Sequence, residues 1–123
     1  MKEDIVQPKR YTQNSLECWD FWLKAGLNPL VASAVKYVWR YKYKNGLDDL
    51  NKAKVFLEKA KKEKDCVYYT GKGYHLNNSD LSDMSSLQID FIDFATHTTI
   101  PESYLMTIDA MLLILYRLMN EIK

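Results

Sequence analysis

The chain reads as an all-α domain of about five helices, and three features of its 123 residues carry that prediction. Apolar residues recur at three- and four-residue spacings along most of its length. Helix-starting and helix-stopping residues punctuate those runs. Only the stretch 65–79 breaks the rhythm, and it reads as a short loop or β-hairpin insert. A length of 123 residues fits one domain, and a hydrophobic share of 47% with three tryptophans and nine tyrosines suits a folded core.

Taken in order, Asn14-Ser15-Leu16-Glu17 has the form of a helix start, with Asn14 or Ser15 as cap and Glu17 reaching back from the first turn. Leu16, Trp19 and Leu23 are spaced for one apolar face, and Gly26 ends that helix. Asn28-Pro29 opens a second helix with an apolar face of Leu30, Ala34, Val35, Val38 and Tyr41, stopped by Asn45-Gly46. Asp48 caps a third helix, which turns Leu50, Ala53, Phe56, Leu57 and Ala60 inward. It closes in a lysine run, Lys59 to Lys64, that suits the negative end of a helix dipole and lacks the interleaved aromatics of a nucleic-acid surface. A fourth helix covers about Leu81 to Thr96, with Leu87, Phe91, Phe94 and Ala95 on one side. Pro101-Glu102 begins a last helix to about Ile122, apolar nearly all round from Met111 to Leu115. Such a helix needs cover on more than one side, which in a small chain predicts an oligomer.

The net charge of +1 conceals an asymmetry. Residues 1–64 hold 14 Lys+Arg against 8 Asp+Glu, and residues 65–123 hold 3 against 8. One domain therefore has a basic first half and an acidic second half, able to complement each other or to draw an anionic ligand to one side. Cys18 and Cys66 have no second Cys or His at metal-ligand spacing and read as reduced thiols, so no zinc site is read. The start, Met1-Lys2-Glu3-Asp4-Ile5, lacks the apolar run of a signal peptide. The apolar stretch Ala110 to Tyr116 is far short of the roughly 20 residues that span a bilayer. The expectation is a soluble chain that stays in the cytoplasm and does not meet a membrane.

The chemistry-bearing residues cluster between positions 36 and 52. Lys36 and Arg40 are four apart on one helix and share a face, and Lys44 continues the row by another turn. Met by Asp49 and Lys52 from the next helix, they make an anion site, in which Arg gives bidentate phosphate contact and Lys a point charge. Trp39 or Tyr37 would stack on a base or seal the pocket. The same spacing also fits a basic helix face neutralised by Asp48, Asp49 and Glu58. Gly71-Lys72-Gly73 lacks the rest of a phosphate-loop pattern and reads as a turn. Asp90 and Asp93, three apart, form either a hydrated acidic face or a pair that holds a divalent cation.

The runs Pro8-Lys9-Arg10-Tyr11, Leu16-Glu17-Cys18-Trp19-Asp20, Lys36-Tyr37-Val38-Trp39-Arg40 and Asp49-Leu50-Asn51-Lys52-Ala53 are similar to a small phage family often called SaV-like. The resemblance covers about residues 4–62. Most members are described only as uncharacterised or as nucleotide kinases, and one phage kinase is described as phosphorylating deoxynucleoside monophosphates without a P-loop. The resemblance implies a phage accessory protein in the cytoplasm of an infected bacterial host. It also implies a nucleotide or phosphate metabolite as ligand, and Mg²⁺ with a nucleoside triphosphate as cofactor.

By that resemblance Tyr11, Glu17, Lys36, Arg40, Asp49 and Lys52 are site residues, with Lys36, Arg40 and Asp49 in the catalytic role and Trp39 and Lys44 beside them. Three departures stand against it. The family's Pro-Ser-His-Tyr is here Pro8-Lys9-Arg10-Tyr11, its Gly-Asn is Ala32-Ser33, and its Arg-Ala-Gly-Lys is Arg40-Tyr41-Lys42-Tyr43. They remove a possible proton shuttle, a close backbone approach and an amide while keeping the cationic face. The alternative function is a non-catalytic protein that binds and inhibits a host or mobile-element protein, using aromatic and Arg-rich patches near Trp39 to Tyr43. Nucleic acid is not an expected partner, because the total charge is near zero.

Overall fold

Five α-helices and three 3₁₀ turns make up the regular structure of residues 17–122, the residues described by the computed structural model. The helices are α1 (Cys18–Ala25), α2 (Pro29–Arg40), α3 (Leu47–Lys62), α4 (Ser86–Ala95) and α5 (Pro101–Ile122). The all-α class and the number of helices agree with the sequence. Segment 65–79 is a loop leading into a 3₁₀ turn at Asn78–Leu81, and no strand occurs among the described residues.

Local chemistry explains most of the boundaries. The Asn28 side chain accepts hydrogen bonds from the Leu30 and Val31 N–H groups, both 3.0 Å, with Pro29 at the first helical position of α2. Gly26 closes α1 at φ +68°, its N–H bonded to the Trp22 carbonyl. A Cβ at Gly26 would collide with Thr70 Oγ1, so this position needs glycine for both its backbone and its space. At the start of α4, Ser85 and Gln88 form a reciprocal capping box.

Three readings of the helices change. The buried face of α1 is Cys18, Phe21 and Ala25, not the predicted Trp19 and Leu23, which are 40% and 72% exposed. The Trp19 indole donates to Glu17 Oε1 at 2.9 Å, holding that ring on the outer side of a helix too short to bury two faces. The cap residue of α3 is Gly46, with no side-chain hydrogen bond, and Asp48 lies in the first turn as a dipole partner. Helix α4 begins at Ser86, because a turn separates it from the 3₁₀ segment at Asn78–Leu81, and it leaves Phe94 part-exposed. The Asn14 and Ser15 caps and Leu16 lie outside the described residues.

The helices close a ring round one core: α2 packs on α3 and α4, and α5 packs on the same two. Helix α5 buries Tyr104, Ile108, Met111, Leu115 and Leu118, a strict alternation of four- and three-residue steps. Tyr104 ties the ends together, donating to the Ala60 carbonyl at 2.8 Å and accepting from Asn28 Nδ2 at 3.5 Å. The loop after α3 holds α1 in place. Thr70 Oγ1 donates to the Gly26 carbonyl at 2.9 Å, and Lys72 Nζ to the Leu23 carbonyl at 3.1 Å. The next link, from the Gly71 N–H to the Thr99 carbonyl at 2.8 Å, fastens the same loop to the start of α5. Gly71-Lys72-Gly73, expected as a turn, is irregular loop with both glycines at positive φ, and its lysine neutralises the C-terminal end of α1. The basic and acidic halves meet within the chain at Lys61–Asp109, 2.8 Å.

Gln88 Nε2 donates to the buried Val38 carbonyl at 3.0 Å while its Oε1 accepts from the Ser85 N–H, so one amide completes α2 and starts α4. Gln88→Ala should lower unfolding free energy by about 2 kcal/mol in a urea titration. Burial pushes the Cys18 thiol pKa up, with the Lys36 charge opposing the shift in part, whereas Cys66 is exposed. Under native conditions a thiol reagent should label Cys66 and spare Cys18. A folded pKa raised above the unfolded 9.0 favours the fold below that pH. Stability should therefore fall as pH rises past about 9, and more steeply than in Cys18→Ala.

Candidate functional site

The reversal from α2 to α3 brings one cationic face of each helix together. Helix α2 ends at Arg40, a 3₁₀ turn covers Tyr41–Tyr43, and Gly46 at φ +54° sets the direction of α3. Lys36 and Arg40 project from adjacent turns of α2, and Lys52 comes from the second turn of α3. All three cations lie over the ring of Tyr37. The Lys36 and Lys52 ammonium groups stand 4.6 and 5.6 Å from its centroid, and the Arg40 guanidinium carbon 4.9 Å. Phe56, one turn beyond Lys52, stacks on Tyr37 with centroids 5.9 Å apart and planes 22° apart. The ring's negative π-face offsets part of the repulsion among the cations.

Asp49 sits behind this face, completely buried. Its Oδ1 and Oδ2 accept from Arg40 Nη2 and Nε at 3.2 and 3.3 Å, and Oδ2 also accepts from the Asn45 N–H at 3.1 Å. The carboxylate fixes the guanidinium plane and the turn at once. Among the described residues no carboxylate pairs with Lys36 or Lys52. Taken with Arg40 and Asp49, the cluster keeps an excess of positive charge.

The structure therefore assembles Lys36, Arg40, Lys52 and Asp49 as the spacing suggested, and separates several others from them. Trp39 is only 1% exposed, packed against Phe21 in the core, so it presents no surface for a base. Lys44 does not extend the row, because α2 stops at Arg40 and the 3₁₀ turn redirects the chain. Glu17 stands at the start of α1 and bonds Trp19. Tyr11, with Arg10, lies outside the described residues, while Ala32 and Ser33 are on α2, Ala32 buried and Ser33 half-buried. Tyr41 is buried as well, so the aromatic patch expected from Trp39 to Tyr43 is largely core. Sequence reasoning undervalued Tyr37 and assigned Phe56 wholly to the interior. A tyrosine with a cation immediately before it and another three residues after it is the pattern that marks the cluster.

As a ligand for Mg²⁺, Asp49 does not fit, since both its oxygens are already engaged and no part of it reaches the surface. Asp90 and Asp93 are exposed on α4, and no group of three ligating side chains forms among the described residues.

With this geometry in view, similarity to other proteins can be placed on it. Residues 5–58 match DUF3310, a family of proteins of unknown function. The matched span takes in α1, α2 and most of α3, and so contains the whole Tyr37 cluster and stops short of the lysine run. No curated protein and no solved structure matches the chain.

Removing the Asp49 carboxylate takes the two-oxygen acceptor from a largely buried guanidinium and the acceptor from the Asn45 N–H. Asp49→Ala should cost about 3 kcal/mol and lower Tm by about 10 °C. Asp49→Asn, which keeps an acceptor for the Asn45 N–H, should cost less. Calorimetry of the two variants measures the difference.

Proposed function

We propose that the Lys36–Arg40–Lys52 face binds the phosphate of a nucleotide or related phosphate metabolite, in a phage-type accessory protein. The carrying observation is the convergence of three cations from two helices on Tyr37, with the buried Asp49 carboxylate committed to orienting Arg40. Arg40 then offers a guanidinium held in a fixed plane, and the two lysines offer mobile point charges. The resemblance of this helix pair to the SaV-like phage proteins supports the same ligand class.

Nucleoside monophosphate kinase activity is the further expectation of that resemblance. In that version Lys36 and Arg40 hold phosphate oxygens and stabilise charge as it develops. Asp49 acts as a positioning residue rather than a proton acceptor or metal ligand, since it is sealed behind Arg40. Any Mg²⁺ would then enter with the nucleoside triphosphate, bound by its phosphates.

A second reading, a non-catalytic inhibitor of a host or mobile-element protein, draws on α1. Trp19 and Leu23 stand one turn apart on its exposed side and offer the aromatic and aliphatic anchors common in protein interfaces. A one-to-one complex with a host protein, unaltered by nucleotide and lost in Trp19→Ala, would favour it.

The deciding measurement is a thermal-shift and calorimetric titration with nucleoside mono-, di- and triphosphates, with and without Mg²⁺. One class should raise Tm, with an affinity that falls as salt rises. Lys36→Gln and Lys52→Gln should each weaken binding about tenfold, whereas Lys61→Gln, at the far end of α3, should not. No stabilisation by any of these anions, or equal loss in all three variants, would sink the reading.

A further inference from the structure

The face that α5 turns away from the ring of helices is exposed and takes no part in the phosphate reading. Residues 102, 106, 109, 113, 116 and 117 fall on one side of this helix, opposite the buried heptad-like row. Met106 and Leu113, 72% and 66% exposed, lie seven residues and about 10 Å apart along the axis. The polar residues between and beside them are already quieted. Asp109 is paired with Lys61 at 2.8 Å, and the Tyr116 ring lies under Lys54, whose ammonium is 5.6 Å from its centroid. What remains at the two ends is Glu102 and Arg117, both exposed and neither with an ion-pair partner among the described residues.

We infer that α5 pairs antiparallel with α5 of a second copy of this chain, across a twofold axis between residues 109 and 110. The register is dictated by the sequence of the face. Centred there, Met106 meets Leu113 of the partner, and Glu102 meets Arg117 of the partner, each pair occurring twice. A parallel pairing in register would set Glu102 on Glu102 and Arg117 on Arg117. Self-complementarity of charge and shape under one twofold operation is the signature of an isologous contact. Met106 and Leu113 on either side of the axis supply the burial, Asp109 at the axis is held by Lys61, and the terminal ion pairs fix direction and register. The exposed apolar stripe is then the part of α5 that the described residues do not cover.

The test is sedimentation equilibrium of the full chain across a concentration series, with circular dichroism and Tm checking that each variant remains folded. The chain should be a dimer. Met106→Glu or Leu113→Glu should give a monomer with unchanged helix content. Glu102→Arg alone sets two arginines together at both ends and should weaken the dimer about tenfold, as should Arg117→Glu alone. The double variant Glu102→Arg with Arg117→Glu exchanges the charges and should restore the original dissociation constant. A chain that stays monomeric at every concentration overturns the inference, whether another segment or another protein covers the stripe. So does a dimer indifferent to the two single reversals, or one the double variant does not restore.

Discussion

The bond between Arg40 and Asp49 is the constraint on which the rest of the basic half depends. It joins the last residue of α2 to the first turn of α3, and the same carboxylate holds the Asn45 N–H in the turn between them. A buried carboxylate is tolerable only because the guanidinium and an amide together satisfy it. Fixing these two helix ends sets the angle at which α2 and α3 pack, and so decides that Lys36 and Lys52 approach the same tyrosine. The cationic face is therefore a consequence of the α2–α3 reversal rather than an addition to the surface.

That face is paid for by its surroundings in a particular way. Like charges gathered on adjacent helices repel, and the Tyr37 ring, backed by Phe56, lowers the cost without consuming the charge as an acid would. Among the described residues no carboxylate pairs with Lys36 or Lys52, so the aromatic platform is what stands between these charges.

Much of this was legible in the sequence. Caps and stops such as Asn28-Pro29, Gly26 and Pro101 act through local backbone chemistry, so the elements they bound were placed closely. The pair Lys36 and Arg40 was visible from spacing alone, because four residues on a helix is one turn. What failed depended on tertiary contacts. Trp19 and Leu23 share an apolar period with residues that do pack, and nothing in α1 itself says which of its two apolar strips meets α2. Lys44 was placed on a continuing helix because the change to a 3₁₀ turn after Arg40 leaves no strong mark before Asn45-Gly46. The fate of Trp39 illustrates the commonest ambiguity, since a tryptophan beside cations suits a stacking platform and a core equally well until burial is known.

The loop between α3 and α4 has a mechanical meaning beyond filling the gap. Two consecutive residues, Thr70 and Gly71, grip the end of α1 and the threonine-rich turn before α5 respectively. The two grips are one residue apart in the chain, the first made by the Thr70 hydroxyl and the second by the Gly71 backbone N–H. The C-terminal end of α1 and the 3₁₀ turn before α5, far apart in sequence, are therefore tied to the same point of one loop.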